Sequence, residues 1–168
     1  MDILVDSNVI LDIATEDKKW FQWSSETLAN YAETHSFVVN PIIYAEVSIG
    51  FDRIEDVDMV LPVGFFRRDA IPWEAAFFAG KCFMAYRRKG GERSSTLPDF
   101  FIGAHAAVAQ IPLLTRDVSR YRTYFPKLKI IAPDEWALPD SFRAPGADTS
   151  HNASPPLPAS YPFPRPSR

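Results

Sequence analysis

Cysteine is all but missing from this 168-residue chain, which has only Cys82, and histidine is scarce, with three residues. A single cysteine excludes an internal disulfide and points to a reducing compartment. No Cys/His spacing of the kind that holds zinc is present either. Long hydrophobic runs are absent as well. The most apolar stretch, Phe100 to Leu114, is too short for a membrane span and is interrupted by His105, Gln110 and Pro112. The N-terminus lacks a basic region followed by a long apolar one, since Asp2 and Asp6 stand there, so no signal peptide is expected. The expectation is a cytoplasmic protein with no membrane segment.

What remains, 46% hydrophobic and 23% charged residues, is ordinary for a globular protein, and the length suits one domain with a real core. The net charge of -3 hides an asymmetry: residues 1–60 hold twelve acids against three bases, residues 61–136 seven acids against twelve bases. The second half could offer a polyanion a basic surface, or simply a mixed, solvated one. Residues 137–168 carry eight of the 15 prolines and few apolar anchors, so a domain over 1–136 and an extended or disordered tail over 137–168 are expected.

Ile3-Leu4-Val5 reads as a strand buried on both faces, ending at Asp6, with a short helix over Val9 to Ile13. Further strands are expected at Ser36-Val39, Arg68-Ile71, Leu113-Thr115 and Leu128-Ile131. Helices are expected from Ser24 or Ser25 to about His35, from Pro41 to near Gly50 with Asn40 as cap, around Asp56 to Leu61, from Pro72 into Lys89, and from Pro98 to Pro112. Between Asp117 and Pro126 only a turn is expected. Strands alternating with helices imply an α/β fold, a mainly parallel five-stranded sheet between two helical layers.

Four acids stand out. Asp6 ends a buried strand where open α/β sheets place ligands, or it caps the following helix together with Ser7 and Asn8. Glu46 falls on the stripe of Ile42, Ile43 and Ile49, where a carboxylate needs a partner, either Arg53 or a metal ion. Asp99 sits in the first turn of its helix, where it favours the helix dipole and Thr96-x-x-Asp99 matches a capping box, although Pro98 at the first helical position makes Leu97 the cap instead. Gly103 and Ala106 further along that helix allow close approach of another element. Asp117 ends a strand as Asp6 does, or caps the turn after it. In a parallel sheet two strand-end acids reach the same edge. Carboxylates gathered there repel unless a divalent cation neutralises them, and oxygen-only ligation suits Mg²⁺ or Mn²⁺. His105 reads as structural or exposed, and Cys82, on an apolar helix face, as core rather than nucleophile.

Asp6-Ser7-Asn8-Val9-Ile10, Ala45-Glu46, Leu97-Pro98-Asp99-Phe100-Phe101-Ile102-Gly103-Ala104 and Leu114-Thr115-Arg116-Asp117, in that order and spacing, resemble a PIN-domain ribonuclease of the VapC toxin branch. The resemblance covers roughly residues 1–136. It implies a metal-dependent endoribonuclease with Asp6 and Asp99 as metal ligands and Glu46 and Asp117 completing the acidic cluster. It also implies Ser7, Asn8 and Thr115 as supporting groups, a small antitoxin as partner, and a homodimer.

Arg87, Arg88, Lys89 and Arg93, and also Arg116 and Arg120, could hold the RNA backbone; the first cluster equally suits a helix C-terminus dressed with cations. Trp20, Phe21 and Trp23 could form an antitoxin patch, but core packing is the favoured reading. A housekeeping RNA-processing nuclease and a catalytically silent binding module are the alternatives. An aspartyl-nucleophile phosphatase is discounted, because its expected second Asp is Asn8 here.

Overall fold

A computed structural model describes residues 1–91 and 97–133. Arg93, Thr96, the boundary at Trp136 and the Pro-rich segment 137–168 lie outside the described residues. Ile3, Leu4 and Val5 of β1 (Asp2–Val5) are fully buried, as a strand covered on both faces requires. The chain continues through α1 (Ser7–Ala14), α2 (Phe21–Ala32), β2 (Ser36–Val39), α3 (Pro41–Ser48), α4 (Ile54–Val60) and β3 (Phe66–Arg68). It then runs through α5 (Trp73–Arg88), α6 (Leu97–Ala109), β4 (Leu113–Leu114), α7 (Ser119–Tyr124) and β5 (Ile130–Ile131).

The five strands lie in the order β3-β2-β1-β4-β5 and every pair is parallel. β1 is therefore central. From it the chain moves outward to β2 and β3, then returns across the sheet to β4 and β5. The right-handed rule for such crossovers puts the helices before and after β3 on opposite faces. The direction of winding reverses between β1 and β4, so their C-terminal ends flank the crevice where sheets of this kind bind ligands. No helix among the described residues is long and apolar enough to cross a membrane.

Several boundaries move for physical reasons. α1 begins at Ser7, and although Asp6 stands at its cap position, its side chain makes no capping bond. α2 begins at Phe21 rather than at Ser24 or Ser25, because the Asp17 carboxylate accepts the Lys19 and Trp20 N–H groups and organises the turn ahead of it. Phe21 and Trp23 are half-buried against the core, and Trp20 stacks edge-on with Trp23. β3 covers 66–68 instead of 68–71, since Phe66 is the residue that buries itself against Phe37. In α3 the buried pair is Ile43 and Val47, while Ile49 is exposed, so the apolar stripe beside Glu46 is narrower than expected. Asn40 does cap α3, its Oδ1 accepting the Ile42 and Ile43 N–H groups at 3.0 Å.

The segment expected to be a turn after Asp117 forms α7. Val118, Tyr121 and Phe125 follow helical spacing and all turn toward the core. Phe125 packs on Phe78 of α5 and Phe100 of α6. Gly103 is what lets Phe125 in: a Cβ there would lie 2.4 Å from the ring.

Candidate active site

The C-terminal end of β1 delivers Asp6 into the crevice, and the end of β4 delivers Thr115 beside it. Asp6 is 3% exposed. Its Oδ2 accepts from the Thr115 hydroxyl at 2.7 Å, the Asn8 amide at 2.9 Å and the Tyr121 hydroxyl at 3.3 Å. Asn8 spends its second amide proton on Thr115 Oγ1 at 3.1 Å, and its Oδ1 accepts the Arg116 N–H. Asn8 and Thr115 thus form a connected hydrogen-bond network around one carboxylate oxygen of Asp6.

Glu46, half-buried on α3, meets Asp6 through Ser7. The Ser7 hydroxyl lies 2.6 Å from Glu46 Oε2 and 3.4 Å from Asp6 Oδ1. One hydroxyl proton serves one acceptor well, so Ser7 bonds to Glu46. Arg53, the alternative partner for Glu46, pairs with Glu55 instead. Burial raises the Asp6 carboxyl above its ordinary range, opposed by the donors on it; burial likewise raises Glu46, with Ser7 opposing and Asp6 adding to the shift. Both acids are therefore short of positive charge.

Asp99 and Asp117 stand apart from this pair. Asp99, at the start of α6, forms an ion pair with Arg120 of α7. Asp117 is exposed; its carboxylate accepts from Ser119 and its N–H donates to Thr115 Oγ1 at 3.1 Å. It lies close enough to the Tyr121 phenol to help raise that group's pKa, behind the larger effects of burial, Asp6 and Glu46. Among the described residues no three of His, Cys, Asp or Glu converge on one point. The donor chemistry nonetheless fits a hard divalent cation: every candidate ligand is a carboxylate, and Asp6 and Glu46 lack a cationic partner among the described residues.

The basic residues divide. Arg116 is a clasp, its guanidinium 3.3 Å from the buried Asp12 and over the Trp20 ring at 5.7 Å. Arg120 is held by Asp99. Arg87, Arg88 and Lys89 end α5, and because Phe83 and Tyr86 pack on Phe100, that end lies beside the start of α6 and Asp99. Of the two readings of His105 the exposed one falls, since it is buried against Asn40; Cys82 is buried in the core, as expected.

Two residues of this region escaped the sequence reading. Asp12, an acid on the buried face of α1, takes the Ser24 hydroxyl at 2.9 Å, and its pKa is raised by burial. Tyr121 went unnoticed because α7 did. Its signal was the spacing of Val118, Tyr121 and Phe125.

Comparison with proteins of known structure follows the same lines. The VapBC2 complex of Rickettsia felis, bound to a promoter DNA fragment, is similar at 17% identity and a TM-score of 0.59 over 79% of this chain and 98% of that one. VapBC-1 of nontypeable Haemophilus influenzae gives 17% and 0.60 over 79% and 98%. A toxin–antitoxin complex from Klebsiella pneumoniae gives 17% and 0.57 over 78% and 97%. At such identities the likeness is one of fold. Comparison with curated protein sequences gives no match. The PIN domain model, however, matches residues 3–126, most of the chain, and the chain belongs to the PIN domain family.

Proposed function

We propose that this chain is a divalent-metal-dependent endoribonuclease, a VapC-type toxin restrained by a small antitoxin, acting in the cytoplasm as a homodimer. The observation that carries the reading is the buried Asp6–Ser7–Glu46 contact at the winding reversal of a PIN fold, two carboxylates in need of a cation. The antitoxin part is supported by similar structures that are themselves VapBC or toxin–antitoxin complexes.

Asp6, Glu46, Asp99 and Asp117 would hold the cation. When bound, it supplies Lewis acidity at the phosphate and lowers the pKa of an attacking water. Asn8 and Thr115 fix the Asp6 carboxylate in one rotamer. Glu46 Oε1, the oxygen that Ser7 does not engage, is suited to orient the attacking water. Arg87, Arg88 and Lys89 would meet the RNA backbone beside Asp99.

The test is RNA cleavage by the purified chain with Mg²⁺ or Mn²⁺. EDTA, Asp6→Asn or Asp99→Asn should each abolish it, and undiminished cleavage by either variant rules out the metal-site assignment. Expression of wild type beside Asp6→Asn reads the toxin role. Growth arrest by wild type alone supports it, and equal growth points to an RNA-processing nuclease.

A further inference from the structure

Tyr121 is 2% exposed in the core side of α7, and its ring fills space that phenylalanine would fill equally well. The hydroxyl is therefore surplus to packing. Burying one costs free energy unless it is bonded, and the bond it makes is to Asp6 Oδ2, 115 positions away in sequence. That oxygen already takes Thr115 and Asn8, so three donors crowd an atom with two lone-pair sites. Among the described residues the one side-chain contact on Asp6 Oδ1 is the long Ser7 hydroxyl at 3.4 Å, and the Ser7 backbone N–H also donates to the carboxylate.

We infer that the Tyr121 hydroxyl is a positioning group for Asp6: with Asn8 and Thr115 it saturates Oδ2, so that Oδ1 is the oxygen the carboxylate presents to a divalent cation. The inference rests on the reading of Asp6 as a metal ligand. α7 thereby does more than bridge β4 and β5. Among the described residues it carries the donor on Asp6 that belongs neither to α1 nor to the end of β4, and it ties the orientation of the carboxylate to the docking of Val118 and Phe125 in the core.

Partners that orient a ligating group are worth about tenfold or more in metal affinity. The test titrates the full-length chain with Mn²⁺ alone, following free Mn²⁺ by electron paramagnetic resonance, with thermal melting in EDTA alongside. Tyr121→Phe should melt with wild type yet bind Mn²⁺ about tenfold more weakly, and on RNA it should lose kcat with little change in KM. Tyr121→Leu, which removes the ring as well, should also melt earlier. Equal Mn²⁺ affinity in Tyr121→Phe overturns the inference. So does a loss of affinity matched by an earlier melt, which marks a purely structural residue. If Asp6→Asn binds Mn²⁺ as wild type does, the metal-site reading fails first and this inference goes with it.

Discussion

Ser7 and Glu46, 39 positions apart, are joined by a 2.6 Å hydrogen bond that brings α1 and α3 together at the end of β1. The same hydroxyl stands between Glu46 and Asp6, so it separates two carboxylates that would otherwise repel at close range. Ser7→Ala should lower kcat on RNA about tenfold while leaving the fold intact. Steady-state cleavage with Mn²⁺, paired with a melting curve, measures both, and an unchanged kcat would show that the contact is incidental.

Gly103 fixes how closely α6 approaches Phe125. An alanine Cβ would sit 2.4 Å from Phe125 Cε2, and the ring cannot swing aside because Phe78 and Phe100 hold it. Gly103→Ala should destabilise the domain by about 1–3 kcal/mol despite alanine's better helix propensity. Urea denaturation reads the difference. A stabilised variant would mean that the close approach is not real.

His105 is buried, and burial pulls its pKa below the ordinary value, with Asp69 opposing. Asn40 Oδ1 is occupied by two backbone N–H groups, so the Asn40 amide must donate to His105 Nδ1 at 3.1 Å. Protonating Nδ1 would set donor against donor. Because the folded pKa is depressed, the unfolded chain takes up the proton first, near its ordinary pKa of about 6.5. Stability should therefore fall as pH drops from neutral through that value and level off only below the folded pKa. His105→Gln should flatten this part of the melting-temperature profile between neutral and mildly acidic pH. An unaltered slope would exonerate His105.

Asn40→Ala tests the same pair from the other side. It deprives α3 of its cap and leaves His105 Nδ1 buried without its donor. The expected loss is about 1–2 kcal/mol for the cap alone, with the orphaned nitrogen adding to it. Denaturant titration would expose a cost near zero, which would mean water replaces the side chain.

The PIN domain match ends at residue 126. On that extent a chain ending after Trp136 should keep a single cooperative thermal transition and the proposed RNA cleavage. Loss of that transition would assign the Pro-rich segment a packing role.

The local pattern of the sequence was enough for the buried Ile3-Leu4-Val5 strand, the Asn40-Pro41 start of α3 and the α/β alternation, because each depends on neighbours a few residues apart. It also singled out Asp6 and Glu46 as acids in apolar settings, since a carboxylate on a buried stripe is conspicuous wherever the chain goes. It did not reveal α7: six residues give a weak periodic signal, and the helix persists because Val118, Tyr121 and Phe125 dock on distant elements. The partners of the charged groups depended on tertiary structure too. Arg116 closes on Asp12, Arg120 on Asp99 and Tyr121 on Asp6 only once the sheet has ordered its strands β3-β2-β1-β4-β5. Residue type states what a side chain can bind; which partner it meets is decided by the winding that brings β1 and β4 side by side.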